Sequence, residues 1–158
     1  MSSIQPSSPE TGRRMAKVRQ KGTDAEIALR RELYRRSMRY RVDHEVLKKP
    51  RRVADVAFPG LKIAIFVDGC FWHGCPEHGR RHHDVNGWYW PAKIDRNRAR
   101  DRETDQALSD AGWQVIRIWE HDLAGPAAAT AAALRVQAAL ARQRLDLHGE
   151  RRSPAGPR

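Results

Sequence analysis

The feature that most constrains the fold is a pair of runs rich in β-branched residues, 53–58 and 61–67, separated by Pro59-Gly60. Runs of this length around a Pro-Gly turn predict two antiparallel strands joined as a hairpin. A third run, 113–119, predicts another strong strand, and a short strand is expected at 40–42. A β-sheet is therefore the centre of the predicted fold.

Three helices are predicted around this sheet. The first begins at Thr23, which forms a capping-box pattern with Glu26, and ends near Ser37. The second covers about 91–110, with proline in its first turn, and an Ala-rich third covers about 127–144. This order predicts an α/β fold in which helices flank a mixed sheet. We expect a single domain, 14–145, between disordered tails at 1–13 and 146–158.

The charge of the chain favours a polyanionic partner. Thirty Lys and Arg residues against nineteen Asp and Glu give a formal net charge of +11. Such a surface attracts nucleic acid, and the sequence has neither a membrane-spanning apolar run nor a signal-peptide core. We therefore expect a cytoplasmic, nucleoid-associated protein with no membrane partner. Arg14, Lys17 and Arg19 are candidates for a DNA-binding arm, and a solubilising tail is the equally weighted alternative.

Two carboxylates in the hairpin suggest a metal site. Asp55 lies inside an apolar strand, where a charge is costly unless it is paired or bound to a cation. Asp68 ends the next strand, and a hairpin can bring it beside Asp55. Two such carboxylates repel unless a hard cation such as Mg²⁺ lies between them. For Asp68 the alternative is a turn-forming role before Gly69.

The second predicted helix adds one further candidate. Lys93, Asn97 and Asp101 are spaced to share one helix face. Asp101 is a candidate outer-shell metal ligand, although the sequence alone favours a surface ion pair with Arg98 or Lys93.

Residues 70–90 are unusually rich in side chains that can bind metals, transfer protons or stack on bases. They include both cysteines, four of the seven histidines and three of the five tryptophans. Cys70, Cys75 and His78 have a spacing that suits zinc. His121 is the candidate fourth ligand if its strand lies beside the second hairpin strand. His82 and His83 are alternative candidates for the fourth ligand.

The same loop holds candidates for catalysis and DNA contact. His73 could act as a general base, or it could be a zinc ligand or a surface histidine. The aromatic groups at 71–72 and 88–90 could stack on DNA bases, or they could pack the loop onto the sheet.

The segment FVDGCFWHGCP at 66–76 resembles the very-short-patch-repair (Vsr) DNA mismatch endonucleases. The resemblance continues from about 15 to 125, and its further matching residues are Trp90, Lys93, Asn97, Arg100-Asp101, Gly112-Trp113 and Trp119-Glu120. It implies a fold like that of the PD-(D/E)xK restriction endonucleases. It also implies Mg²⁺-dependent hydrolysis of duplex DNA 5′ to the thymine of a T:G mismatch.

The resemblance also assigns roles to residues. The implied catalytic set is Asp55, Asp68, His73, Asp101 and Glu26, with Mg²⁺ contacts from Asp55, Asp68 and the Val67 carbonyl. Structural zinc would be bound by Cys70, Cys75, His78 and His121. The implied DNA contacts are Phe71, Trp72, Trp90, Lys93 and Asn97. The family further implies a functional link to a DNA cytosine methyltransferase and to mismatch-repair proteins, and we expect a monomer.

The chain departs from the general nuclease pattern at two points, and it differs from some members of the family at Asp68 and His121. It has Ala54-Asp55 where that pattern has Pro-Asp, and Phe66-Val67-Asp68 where it has acid-x-Lys. Some members of the family have histidine in place of Asp68, so a more direct metal contact by Asp68 is implied. His121 replaces a cysteine of some relatives and still suits zinc.

Overall fold

The computed structural model describes residues 22–70, 72–77 and 89–152. Its helices and strands, in chain order, are α1 (Asp24–Arg35), β1 (Arg41–Lys48), β2 (Arg51–Phe58), β3 (Ile63–Asp68), α2 (Tyr89–Asp110), β4 (Gln114–Trp119) and α3 (Pro126–Arg152). Short 3-10 turns follow β2 and β4, at Pro59–Leu61 and Glu120–Leu123. The predicted α/β class is confirmed.

The four strands form one mixed sheet in the order β1-β2-β3-β4. The predicted hairpin is present, because β2 and β3 pair antiparallel with Phe58 opposite Ile63. β3 and β4 are parallel, with Asp68 opposite Trp119, and α2 belongs to the crossover that such a pair requires. Two parallel strands end at the same edge of a sheet, so the loop after β3 and the turn after β4 meet there.

The start of α1 is fixed by its N-cap. The Glu26 backbone N–H donates to the Thr23 hydroxyl at 3.3 Å, as the capping-box pattern predicts. The Glu26 carboxylate accepts hydrogen bonds from the Gly22 N–H at 2.9 Å and from Arg30 at 3.2 Å. These contacts hold Glu26 in a buried position at the first turn.

Side-chain alternation along the strands divides the core into two parts. One part packs α1 and α3 against one sheet face, through residues that include Leu33, Ile65 and Val136. The other part of the core lies on the opposite sheet face, where Ala64 packs with Leu108 from α2. Helices therefore cover both faces of the sheet, and α2 is the helix on the second face.

Replacing Leu33 with alanine is expected to lower the free energy of unfolding by about 2–5 kcal/mol, because a fully buried side chain leaves a cavity. Urea denaturation measures this change. Leu134→Ala is the matched control, since Leu134 is 48% exposed in α3 and its truncation should cost below about 1 kcal/mol. Equal losses for the two variants would contradict the assignment of Leu33 to the core.

Two element boundaries differ by more than two residues from the sequence-based expectations. β1 extends through Lys48 rather than ending at residue 42, because it pairs with β2 along most of its length. α3 continues to Arg152, so residues 146–152 are helical, whereas we expected the disordered tail to begin at 146. An Ala-rich helix that is anchored by its first turns can continue past the end of its packing surface. The predicted tail at 1–13 and the arm residues Arg14, Lys17 and Arg19 lie outside the described residues.

Among the described helices, none combines the length and apolar character needed to span a bilayer.

Candidate active site and metal-binding cluster

Asp55 lies in β2 with its carboxylate against the backbone of β3. Its Oδ2 accepts a hydrogen bond from the Val67 N–H at 2.7 Å. Burial raises the pKa of Asp55 to about 6, and the Val67 N–H opposes this rise. The charges of Glu26, Asp68 and Asp43 make smaller contributions to the same rise. The surroundings of Asp55 therefore disfavour its negative charge, and a bound cation would relieve that cost.

His73 and Asp101 form the shortest polar contact of the site. Asp101 lies on α2, and its Oδ2 is 2.6 Å from His73 Nδ1. Because a carboxylate only accepts, the ring donates through Nδ1–H, and in a neutral ring Nε2 then carries the lone pair that can accept a proton. Burial lowers the pKa of His73, but the Asp101 hydrogen bond and the charges of Asp68 and Asp101 outweigh it, so the net pKa is raised.

Asp68 joins this pair at the end of β3. Its Oδ1 is 3.8 Å from His73 Nδ1, and the ligand atoms of Asp68, His73 and Asp101 all lie within 4.8 Å of one another. Both Asp68 oxygens also accept hydrogen bonds from Arg117 Nη1, at 3.0 and 3.1 Å. Burial raises the pKa of Asp68, and the positive charges of Arg117 and His73 oppose that rise.

Arg117 is a functional candidate that the sequence analysis did not identify. It lies in β4, and its guanidinium contacts Asp68 from β3 and Asp105 from α2. Burial lowers the pKa of Arg117, but the hydrogen bond with Asp105 and the neighbouring carboxylates raise it overall. The signal that could have identified it is a charged residue inside an apolar strand, the argument already applied to Asp55.

A second cluster lies beyond the same sheet edge. His121 Nδ1 is 3.3 Å from Cys70 Sγ and 3.5 Å from Cys75 Sγ. The loop carrying Cys70 is tied to the turn after β4, because the Cys70 N–H donates to Glu120 at 3.1 Å. Burial raises the pKa of Cys70 to about 11, and Cys75 and Glu120 add to the rise.

The distances in this cluster suit a tetrahedral metal. Zinc bonds to thiolate and imidazole at tetrahedral angles put sulfur and nitrogen about 3.5 Å apart. Cys70, Cys75 and His121 therefore have the donor types and separations of three zinc ligands. β4 lies beside β3, and it brings His121 to the two cysteines.

Trp72 is fixed against α2. Its carbonyl accepts a hydrogen bond from Asn97 Nδ2 at 2.8 Å, and Lys93 Nζ lies 5.7 Å from the centre of its ring. The predicted common face of Lys93, Asn97 and Asp101 therefore meets the loop after β3. Asp101 contacts His73 on that face, instead of the surface ion pair with Arg98 or Lys93 that the spacing favoured.

The loop also depends on Gly74, which has a φ of +65°. A Cβ added there would lie 2.7 Å from Ile94 Cγ2 and 3.3 Å from Arg98 Cδ. Gly74→Ala is therefore expected to lower the free energy of unfolding by about 2–4 kcal/mol through left-handed strain and crowding. Thermal denaturation measures this change. Gly60→Ala, where an added Cβ meets nothing within 4 Å, is the matched control, and equal behaviour of the two would contradict this packing.

Comparison with known proteins identifies the family. The profile described as "DNA mismatch endonuclease Vsr" matches residues 8–78. The chain is 46% identical over 116 residues to the "Type II nicking enzyme V.NaeI" of Lentzea aerocolonigenes, covering 70% of this chain and 67% of that protein. It is 38% identical over 120 residues to the "Type II nicking enzyme V.XorIIP" of Xanthomonas oryzae pv. oryzae, covering 73% and 84%.

A further relative carries the name of the family. The chain is 33% identical over 82 residues to the "DNA mismatch endonuclease Vsr" of Escherichia coli, covering 47% of this chain and 53% of that protein. The chain belongs to the Vsr family. The predicted family is thus confirmed, and the protein is an endonuclease.

The predicted site residues fall into four groups, of which Trp72 with Lys93 and Asn97 has been described above. The structure brings Asp68, His73 and Asp101 together, and it puts Asp55 against the Val67 backbone and within electrostatic range of Glu26. It gathers Cys70, Cys75 and His121 into the second cluster. Outside the described residues lie Phe71, His78, His82, His83, Arg14, Lys17, Arg19 and the side chain of Trp90. The roles of all these residues remain predictions.

Proposed function

We propose that this Vsr-family endonuclease nicks duplex DNA 5′ to the thymine of a T:G mismatch and requires Mg²⁺. The observation that carries the proposal is the buried carboxylate of Asp55 held against β3, together with the cluster of Asp68, His73 and Asp101 at the end of that strand. Relatives named as nicking enzymes and as a DNA mismatch endonuclease support the nicking reaction and a mismatched DNA substrate. The mixed sheet with helices on both faces is consistent with a restriction-endonuclease-like fold.

The donor set near Asp55 suits a hard divalent cation. Asp55 offers a carboxylate whose charge burial and neighbouring acids disfavour, and the Val67 backbone lies directly beside it. The Asp55 carboxylate and the Val67 carbonyl would hold Mg²⁺. Asp68, the third predicted ligand, is less available because both of its oxygens accept hydrogen bonds from Arg117. When bound, Mg²⁺ supplies polarisation of the scissile phosphate and stabilisation of the leaving oxygen.

His73 is suited to receive a proton from the attacking water. Its Nδ1–H is engaged by Asp101 at 2.6 Å, so the ring is held in the tautomer with a free Nε2 lone pair. As water oxygen bonds to phosphorus, Nε2 takes the water proton and the P–O bond to the leaving nucleotide breaks. Asp101 stabilises the resulting imidazolium, as a buried acid partner does for a catalytic histidine.

DNA binding would draw on the basic surface and on the aromatic residues of the loop. The net charge of +11 favours contact with duplex phosphates. Trp72 is a candidate wedge beside the mismatch, because Asn97 binds its carbonyl and Lys93 lies near its ring. A T:G step is weakly paired, which lowers the cost of opening the stack and contributes to selectivity.

We also propose that Cys70, Cys75 and His121 hold a structural zinc ion, with His78 as the predicted fourth ligand. The donor types and the sulfur–nitrogen separations of 3.3 and 3.5 Å support this assignment. Zinc would fix the loop that carries Trp72 and His73, because both residues lie between the two cysteines.

Replacing His121 with glutamine is expected to remove zinc and to lower the melting temperature, because three donors no longer close a tetrahedral site. Zinc content per chain, measured by plasma mass spectrometry, gives the first readout. His148→Gln is the matched control, since His148 is exposed on α3. Purified wild-type protein with no zinc, or full zinc retention by His121→Gln, would contradict the assignment.

The proposed function is tested with one end-labelled duplex that carries a single T:G pair, beside its fully paired control. We expect a nick just 5′ of the mismatched thymine in Mg²⁺, no nick in EDTA and no nick in the paired duplex. A panel of other mismatches and of deaminated bases runs in parallel. Cutting of another target in place of T:G would overturn the proposed specificity, and binding without any cutting would indicate a non-catalytic DNA-binding module.

A further inference from the structure

The Arg117 guanidinium lies at the centre of three carboxylates from two elements. Nη1 donates to both Asp68 oxygens, and Nε and Nη2 donate to Asp105 at 2.7 to 3.0 Å. Nη2 also donates to the Asp101 carbonyl at 3.3 Å, and Nη1 is 3.6 Å from Asp101 Oδ1. Every nitrogen of the group is therefore committed to a protein acceptor.

The ring of Phe66 also packs against one face of the guanidinium. The central carbon of the guanidinium lies 4.8 Å from the centre of the ring of Phe66, which is the residue paired with Arg117 across β3 and β4. The aromatic face and the strand pairing leave the planar group little freedom to reorient. A group with this many contacts is rigid and is not available to contact a DNA phosphate.

We propose that Arg117 is a positioning residue, which clamps α2 to β3 and thereby holds Asp101 at the distance and angle that orient His73. This inference rests on the proposed role of His73 as proton acceptor. The clamp links the carboxyl end of β3 and the second half of α2 to one cation, so Asp68, Asp101 and Asp105 keep one arrangement despite their like charges.

Two physical arguments support the clamp. Without Arg117 the three acids would face one another beside a neutral His73, and their repulsion would drive α2 away from β3. A lysine could not replace the arginine, because one ammonium cannot make the two planar, two-pronged contacts with Asp68 and Asp105. Both charge and shape are therefore required of the residue at this position.

The first test is a double-mutant cycle on the single-turnover nicking rate, with Arg117→Met and Asp101→Asn. Because small misplacements of catalytic groups are costly, we expect Arg117→Met alone to slow nicking by about 10–100-fold. The dissociation constant for DNA should stay within about threefold, since a positioning residue acts on the chemical step. When Asp101 is already Asn, adding Arg117→Met should slow nicking by less than about threefold further.

Two outcomes of the cycle would overturn the proposal. Additive losses would mean that Arg117 acts independently of the His73–Asp101 pair. A loss confined to DNA affinity would mean that Arg117 contacts DNA. Arg117→Lys is expected to remain at least about tenfold slower than wild type, and full activity of that variant would show that charge alone suffices.

A second measurement is independent of nicking and of partial unfolding. Long-range proton–nitrogen NMR of the histidine rings, at a pH above the titration of His73, reports which ring nitrogen carries the proton. Wild-type His73, assigned with His73→Gln, should be in the Nδ1–H tautomer. Folded Arg117→Met should show a mixture of tautomers, whereas Arg142→Met, altered at an exposed position of α3, should match wild type.

The two proposals fail in different ways. If wild-type protein nicks no duplex, the proposed function is wrong, and the NMR comparison still decides whether Arg117 orients His73. If wild-type protein nicks as expected but Arg117→Met leaves the His73 tautomer unchanged, the proposed function stands and the clamp is wrong.

Discussion

Asp55→Asn is expected to lower the single-turnover nicking rate by at least about 10³-fold, since metal-assisted stabilisation of the transition state is worth several kcal/mol. Asparagine has nearly the same shape, so packing in β2 should persist. The substitution removes the charge that would bind Mg²⁺. In addition, the new amide can place its NH₂ group against the Val67 N–H, which now donates to Asp55 Oδ2. DNA affinity should be unchanged or slightly higher, because one negative charge near the phosphates is lost.

The rate is measured with enzyme in excess over a T:G duplex in Mg²⁺, and DNA affinity is measured separately in Ca²⁺. Asp43→Asn is the matched control, because Asp43 is an exposed acid on β1 whose charge also acts on Asp55. Its rate should stay within about threefold of wild type, as expected for a surface change. Full-rate nicking by Asp55→Asn in Mg²⁺ would overturn the assignment of the metal site.

The secondary structure was largely predictable because its determinants are local. The N-cap at Thr23 and the Pro59-Gly60 turn are signals contained within a few residues, and both are present in the structure. The end of α3 was not predictable in this way. Alanine favours helix as far as Ala141, and residues 142–152 contain mostly good helix formers and no proline, so the helix continues to Arg152.

The site was predictable only in part, because several of its contacts join distant segments. The cost of a charge inside a strand pointed to Asp55, and the same reasoning applied to Arg117 would have required a partner for it. The partners themselves could not be named from spacing, since they lie on β3 and α2. Asp101 shows the same limit. Helical spacing favoured an ion pair with Arg98 or Lys93, and the folded loop instead supplies His73.

His73→Gln is expected to slow nicking by about 10²–10⁴-fold, the usual contribution of a general acid or base. Glutamine can keep a hydrogen bond to Asp101, so the loop and its neighbouring cysteines should stay in place. It cannot accept a proton from water, so the loss should fall on the chemical step rather than on DNA binding. Single-turnover rates at saturating enzyme, together with binding measured in Ca²⁺, separate these two effects.

The control for His73→Gln is His148→Gln, which changes an exposed histidine of α3 and should nick at the wild-type rate. Zinc content is measured in both variants, because His73 lies between Cys70 and Cys75 in sequence. A slow His73→Gln enzyme with full zinc content and wild-type DNA affinity would support His73 as the proton acceptor. A variant that nicks at the wild-type rate would show that water is activated elsewhere, and the short contact between His73 and Asp101 would then serve to anchor the loop to α2.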